Sequence, residues 1–462
     1  MAPPNDTIVA IATPMGEGGI SVIRVSGPAA IEVVGKGFRG KYSLSAVATH
    51  TAHFGTYVNG IAKVIDEVVV TVFKEPQSYT GEDVVEISCH GGGFVTKTIL
   101  AEIISKGARL AAPGEYTKRA FLNGKIDLLQ AEAVADLIQA RSEAAHHCSV
   151  MQLQGRLSNE IGILRQKLTE LLSLTELELD FAEEDLKFTS KGEALGLIAE
   201  VENNINKMLQ SYTAGKIYKE GIRVVFAGRP NVGKSSVMNR LLNANRAIVT
   251  DIPGTTRDTI EESINIGGII YTLVDTAGLR ESNDVIEREG IIRSEEELKK
   301  ADIILFILDL TAEDIELDKS IFLSLLEFGH PIVLVGNKCD MANSGEPNFI
   351  HKVFDSKDCA ILSAKTGDGF ETLRTTLSSV AEEDIESFSD KSVIVNNLRH
   401  LHCLNSALLD LQSARGTLNL SLSAEFVSID LHKAIRDLGE IIGEVTSEDI
   451  LNEIFSRFCI GK

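Results

Sequence analysis

The chain has 462 residues and a mass of 50.0 kDa, long enough for two to four domains that each bury a core. Its 45 basic and 66 acidic residues leave a net charge of −21, which excludes a protein that coats nucleic acid by bulk electrostatics, so any RNA contact has to come from a local patch or a partner. Six scattered cysteines without paired spacing argue against a disulfide framework or zinc knuckle, the start Met1-Ala2-Pro3-Pro4-Asn5-Asp6 has no basic leader, and no apolar stretch approaches a membrane span, so a reducing cytoplasm is expected.

Residues 1 to about 120 alternate short β-branched runs with glycines, as in Thr7 to Ala12, Ser21 to Ser26 and Glu67 to Phe73, and read as an α+β domain. From Ile126 the texture changes. Leu128, Ala131, Val134, Ala135 and Ile138, then Leu157, Ile161, Leu164, Leu168, Leu171 and Leu172, recur mostly at three- and four-residue steps and predict one long helical segment ending near the acidic stretch Asp180 to Asp185. A second periodic stretch runs from Leu195 to Leu209. The β-branched run Ile222 to Ala227 then predicts a buried strand, with a helix opening at Ser236. A helix from Phe370 to Glu382 is followed by further helical periodicity through Leu398, Leu401, Leu404, Leu408 and Leu411, then Leu431, Ile435, Leu438 and Ile441.

Four short motifs lie between the helical stretches. Gly228-Arg229-Pro230-Asn231-Val232-Gly233-Lys234-Ser235-Ser236 follows the strand and precedes the helix. In a phosphate loop of this kind, backbone N–H groups converge on a phosphate, Lys234 neutralises β/γ charge and Ser235 ligates Mg²⁺. Asp275-Thr276-Ala277-Gly278 ends the strand-like run Ile269 to Val274, which puts a magnesium-side carboxylate and a γ-phosphate-sensing glycine where open α/β sheets bind ligands. Asn337-Lys338-Cys339-Asp340 supplies a carboxylate that can accept from the ring N–H and amine of guanine, a donor pair that adenine lacks. Asn337 and Lys338 brace that loop and cover the base, and Ser363-Ala364-Lys365 after Ala360 to Leu362 adds backbone contacts to it. The four motifs in this order imply a GTP site.

The order helical, nucleotide-binding, helical suggests that the flanking helices pack as one domain with the nucleotide domain inserted, since each half alone has too few helices to bury its stripe. The expected domains are 1–120, 121–218 and 384–462 as the two helical halves, and 219–383 between them.

With these stretches in view, the chain resembles the tRNA modification GTPase MnmE (TrmE) family over essentially its whole length. The resemblance is carried by Ser78 to Glu86 with Cys89-His90-Gly91-Gly92, by Pro113 to Lys125, by Asp251 to Asp258, and by the ending Phe458-Cys459-Ile460-Gly461-Lys462. It implies a multidomain fold: an α+β folate-binding N-terminal domain that dimerises, an α-helical central domain from two sequence halves, and an inserted α/β P-loop GTPase domain of Ras-like type. It also implies a flavoprotein partner, MnmG, in a heterotetramer or larger complex. With it the chain would install a carboxymethylaminomethyl-type group on C5 of wobble uridine 34 of certain tRNAs, using a one-carbon unit from 5,10-methylenetetrahydrofolate, of which 5-formyltetrahydrofolate is an analogue.

The resemblance assigns roles residue by residue. Leu279 stands where Ras-type switches carry a water-orienting glutamine, and Glu287 takes over the water. K⁺ replaces an arginine finger, held by the side chain of Asn231 and carbonyls of Thr250, Ile252 and Thr255, and it closes two GTPase domains on each other. Within the loop Thr250-Asp251-Ile252-Pro253-Gly254-Thr255-Thr256, Thr256 ligates Mg²⁺ opposite Ser235. Arg24, Glu86, Lys125 and Lys462 hold the tetrahydrofolate, with their division between pterin and glutamyl tail left open. Cys459 reads as packed rather than nucleophilic, His50 and His53 lack partners for a metal, and His90 among glycines is better placed for a ligand contact. The alternative to this reading is a GTP-driven ribosome-assembly switch, which usually carries a basic RNA module that this sequence lacks.

Overall fold

A computed structural model describes residues 5–14, 16–180, 190–244, 261–275, 295–312, 315–342, 354, 357–382, 393–420, 423–458 and 460–461. These form two compact units. One comprises 1–138, 152–198 and 409–462, the other 139–151 and 199–408.

The first unit contains a seven-stranded sheet made of β1 (Ile8–Ile11), β2 (Gly18–Ser26), β3 (Phe38–Gly40), β4 (Thr51–Val58), β5 (Val64–Phe73), β6 (Val84–Gly91) and β7 (Arg109–Leu110), in the order β3-β4-β5-β6-β2-β1-β7. Neighbours are antiparallel except β1 and β7. Alternation along β5 buries Val68, Val70 and Val72 and exposes Val69, so one face of the sheet carries the core. Ile99 and Ile103 of the helix Gly93–Ser105, and Val33 and Val34 of the helix Ala30–Gly35, complete that core.

The long helical segment expected from Ile126 is divided into helices Leu128–Gln139, Glu143–Leu153 and Arg156–Asp180. Two local features divide it. Ser142 Oγ accepts from Ala145 N at 3.0 Å and caps a new start, and Gly155 at φ 77° turns the chain before Arg156. Within the first unit, Arg156–Asp180 packs along the helix Ala424–Ile442. Leu157, Ile161, Leu164 and Leu168 are buried on one helix and Val427, Leu431, Ala434 and Leu438 on the other, each series at the spacing that keeps one stripe inward. The helix Ala424–Ile442 starts at Ser423, whose hydroxyl accepts from Glu425 N, and ends at Gly443 in the left-handed conformation, with Glu444 N donating to Gly439 O. The following helix Glu448–Ser456 docks on Glu115–Leu122, where Leu451, Phe455 and Phe458 share a small core with Leu128 and Ala131.

The second unit holds a six-stranded sheet: β8 (Ile222–Ala227), β9 (Glu261–Ile266), β10 (Ile269–Asp275), β11 (Ile303–Asp309), β12 (Ile332–Asn337) and β13 (Cys359–Ile361), in the order β13-β12-β11-β8-β10-β9. All pairs are parallel except the edge strand β9. Ile303 to Leu308 are buried without alternation, as expected for a strand covered on both faces. The chain runs from β8 to one side of the sheet and later to the other, so the C-terminal end of β8 is a topological switch point where ligands bind. Before this sheet, Ser211 Oγ accepts from Val395 N at 3.0 Å, and a Cβ on Gly215 would lie 2.1 Å from Val395 O. Segments preceding and following the sheet therefore touch, so the intervening chain leaves and returns at one place.

The first unit also buries a charge network. Arg119 is fully inaccessible and pairs with Asp6 at 2.6 Å, Glu115 at 3.0 Å and Glu82 at 3.1 Å, while Arg109 reaches Glu115 at 2.6 and 2.8 Å. Burial works to raise the Glu115 carboxyl, but hydrogen bonds from Arg109, Ala112 N and Arg119 outweigh it and hold the group below its ordinary value of 4.5. The unfolded chain thus binds more protons than the folded one on acidification. The stability that Glu115 contributes is complete above about pH 5 and is lost as pH falls through the depressed range. Removing Glu115 takes one of three carboxylates from the buried Arg119, so Glu115→Ala is expected to destabilise the protein by roughly 2 kcal/mol at neutral pH, and Glu115→Gln to flatten the acid limb. Urea unfolding followed between pH 3 and 7 measures both.

Candidate functional site

Between β8 and the helix Lys234–Ala244, residues 228–233 form a loop whose backbone is left-handed at Gly228, Asn231 and Gly233. Two glycines are required by space as well as by φ. A Cβ on Gly228 would lie 2.4 Å from Ile307 O, and one on Gly233 would lie 2.3 Å from Asn337 Nδ2. Asn231 at φ 63° is among the few non-glycine types that tolerate this region, and it stands exposed at the loop's tip. The helix begins at Lys234, two residues before the start read from sequence, so Ser235 lies in its first turn and its N-terminus faces the loop.

Lys234 is buried, and its Nζ donates to Gly228 O and Arg229 O, both at 2.8 Å. The ammonium is thus folded over the loop that cradles phosphates. Ser235 Oγ donates to Asp275 Oδ2 at 2.6 Å, and Asp275 ends β10 directly beside β8. A hydroxyl and a carboxylate in contact at a helix N-terminus fit a magnesium ion shared with a phosphate. Ser236 is exposed in the same turn, and Val232 is buried in the core beneath.

On the other side, Asn337 ends β12 with 2% exposure. Its Nδ2 donates to Val232 O at 2.8 Å and its Oδ1 accepts from Ala364 N at 3.1 Å, so one amide joins the phosphate loop to the loop at 363–365. Lys338, left-handed at φ 66°, pairs through Nζ with Asp309 Oδ2 at 2.6 Å. Burial pushes the Asp309 carboxyl up, but hydrogen bonds from Lys338 and Thr311 prevail and hold it below the usual range. Asp340, exposed at the rim, accepts from Ser363 Oγ at 2.6 Å, and Lys365 is exposed beside it. Sequence reading missed Asp309, although its place at the C-terminal end of β11, in register with Asn337 on β12, marks it as a loop-facing position.

Of the remaining nucleotide and K⁺ candidates, Thr250 to Thr256, Thr276, Ala277, Gly278, Leu279 and Glu287 lie outside the described residues.

A second constellation sits on the first unit's sheet. Arg24 on β2 and Glu86 on β6 are register partners, joined by Arg24 Nε and Nη2 to Glu86 Oε1, each at 2.8 Å. The guanidinium lies between the rings of Tyr79 and Tyr116, 5.7 Å from each centroid, and donates to Gly461 O at 3.3 Å. Gly461 is buried against β1, where a Cβ would lie 2.5 Å from Ile11 O. Lys125 is placed on the loop that carries Tyr79, with Nζ donating to Pro76 O at 3.0 Å. Arg24, Glu86 and the C-terminal tail are therefore together and Lys125 adjoins their loop, while Lys462 and Cys459 lie outside the described residues. His90 pairs with Asp66 at 2.7 Å, and His50 and His53 bond to Thr49 and Thr51. Among the described residues, no helix is long and apolar enough to cross a membrane.

A family model described as the MnmE helical domain matches residues 128–459, and one described as the GTP-binding protein TrmE N-terminus matches 7–125. The chain is 44% identical over 460 residues to the tRNA modification GTPase MnmE of Salinibacter ruber, covering 99% of each. It is 44% identical over 463 residues to that of Carboxydothermus hydrogenoformans, covering 99% of this chain and 100% of that one. Among solved structures it is similar to the G domain of the T. maritima FeoB iron transporter, at 26% identity over 35% of this chain and 98% of the other, with a TM-score of 0.27.

The site's geometry sets two expected outcomes. Asp340→Asn removes the acceptor for guanine's paired donors and supplies an amide donor, so it should weaken GTP binding by roughly a hundredfold or more and improve binding of xanthosine triphosphate. Gly233→Ala drives a methyl into Asn337 and should abolish binding of either nucleotide while the sheet stays folded. Titration of a fluorescent nucleotide with circular dichroism as the fold control reads both.

Proposed function

The chain belongs to the MnmE family of tRNA modification GTPases, and from that premise we propose that it hydrolyses GTP in the course of modifying the wobble uridine of tRNA. The observation that carries the GTPase half is the single amide of Asn337 spanning the phosphate and base loops, with Ser235 and Asp275 already in contact beside it.

The residues divide the work. Backbone N–H groups of residues 231–236 hold the phosphates, Lys234 offsets the charge that develops between the β- and γ-phosphates, and Asp340 selects guanine. Ser235 and Asp275 would hold Mg²⁺ together with Thr256, and the ion would supply charge neutralisation at the phosphates. Water attacks the γ-phosphorus in line, the bond to the β-phosphate oxygen breaks, and GDP and inorganic phosphate result. The Leu279 side chain has no hydrogen-bonding atom, and the family resemblance gives the positioning of that water to Glu287. Asn231, left-handed at the loop's tip, and carbonyls of Thr250, Ile252 and Thr255 would hold K⁺, which would supply the positive charge of an arginine finger in a homodimer of GTPase domains.

The second constellation takes the folate. Glu86 can accept from the pterin's amine and ring N–H, and Arg24, Lys125 and Lys462 can donate to its carbonyl edge or to the glutamyl carboxylates. The polar pair is only partly exposed, with the Tyr79 ring on one side of the guanidinium, which suits a flat heteroaromatic ligand. The bound folate supplies the one-carbon unit. The product of that chemistry, carried out with a flavoprotein partner of the MnmG type, would be a carboxymethylaminomethyl-type group on C5 of uridine 34. This work belongs to the cytoplasm.

Two measurements test the reading. Hydrolysis in K⁺ should exceed that in Na⁺ by at least about tenfold, a fraction of what an arginine finger supplies, and equal rates would remove the cation from the mechanism. Cells lacking this protein should lose the modified wobble nucleoside by mass spectrometry, and intact modification excludes the tRNA assignment.

A further inference from the structure

The phosphate loop is anchored at two ends, and one anchor draws on a partner outside the sequence motifs. At its C-terminal end, Val232 is buried in the core and its carbonyl is held by Asn337. At its N-terminal end stands Arg229, the second residue of the loop. Arg229 Nη2 pairs with Asp318 Oδ2 at 2.6 Å, with side-chain exposures of 17% and 4%. Asp318 lies in the first turn of the helix Glu316–Leu326, on the chain that follows β11. Pro230 and Asn231, between the two anchors, are exposed.

We propose that Asp318 is a positioning residue for nucleotide phosphates, acting through Arg229 to fix the start of the loop on which Lys234 rests. The inference rests on the nucleotide-site reading above. Arg229 O is one of the two carbonyls that hold Lys234 Nζ, at 2.8 Å, so displacing this peptide displaces the ammonium. The preceding residue is Gly228 at φ 136°, a hinge with no side chain of its own to hold the turn. The side chain of Arg229 supplies that hold. A pair this inaccessible is little screened by water, yet an apolar pair of similar volume would give equal or better stability. What the ion pair adds is direction: a rigid guanidinium on a short carboxylate fixes where the backbone of residue 229 lies.

The test uses the full-length chain with GDP and GTP, Asp318→Asn, and the double variant Arg229→Met/Asp318→Leu, in which no charge is stranded. Nucleotide affinity is measured below the unfolding midpoint of each protein, and the midpoints are measured without nucleotide. Asp318→Asn is expected to weaken both nucleotides by roughly tenfold to a hundredfold while folded. The double variant is expected to melt near the wild-type temperature and to remain as weak a binder. That second arm decides the matter if Asp318→Asn does not fold. An Asp318→Asn protein that binds within twofold of wild type, or a double variant that regains affinity along with stability, reduces the pair to a structural contact and overturns the proposal. A wild-type chain that binds neither nucleotide is a different result, and it removes the nucleotide site itself.

Discussion

The buried amide of Asn337 is the constraint on which the nucleotide site depends. A carboxamide offers two donors and one acceptor oxygen at fixed separation, and here the nitrogen holds Val232 O while the oxygen holds Ala364 N. Two loops far apart in sequence are thereby locked at one distance. The contact is possible because residue 233 has no side chain: the space a methyl would take is occupied by the amide nitrogen. An unmet bond on either side would leave a buried polar group without water, at a cost of about 1–3 kcal/mol. The parallel sheet brings these loops to one edge, since β8, β10, β11 and β12 all end on the same side.

How much of this was legible depends on how far apart the cooperating residues lie in sequence. Residues 228–236 announce themselves because one strand, one turn and one helix contain all of them, and the turn demands glycines that nothing else explains. Asp309, Asp318 and Arg119 announce nothing. Each is a single charged residue whose meaning comes from a partner 29, 89 or up to 113 positions away. A buried carboxylate in the first turn of a helix and an exposed one look alike as letters. The division of the helical segment after Ile126 was similarly hidden. Its hydrophobic period continues across the breaks, and only Ser142 and Gly155, neither decisive alone, mark where the backbone turns. The constellation at Arg24 and Glu86 was legible through family resemblance alone, because a register pairing across β2 and β6 leaves no local trace.

Three arginines show how one side chain serves different ends by the partners that surround it. Arg119 is sealed among three carboxylates and holds the N-terminal segment, the 78–83 turn and the helix Glu115–Leu122 together, and the same carboxylates tie that assembly to pH. Arg229, with 17% of its side chain exposed, holds the Asp318 carboxylate through Nη2, so its contact is directional rather than cohesive. Arg24, at 16% exposure no more open than Arg229, is held by Glu86 and a carbonyl and flanked by tyrosine faces that a planar ligand can share. With a net charge of −21, cations are scarce enough that these placements matter more than any overall field.

The contact between Arg24 and Gly461 spans 437 positions, the longest reach in the polar network of the described residues. Such a closure is less demanding than its length suggests, because loop entropy grows only with the logarithm of length and the intervening chain is already folded. What has to be ordered is the short tail after the helix Glu448–Ser456. That helix is itself seated on Gly114, where a Cβ would meet Phe455 O at 2.6 Å, and on Lys118 through Asn452 at 2.9 Å. The tail therefore reports on two things at once: whether the C-terminal helices have packed on the first unit, and whether Gly461 can lie flat on β1. Its carbonyl then becomes part of the Arg24 environment. A ligand that draws on Arg24's donors competes with the tail for them, so ligand binding and tail docking are thermodynamically linked, and each must change the other's free energy by the same amount.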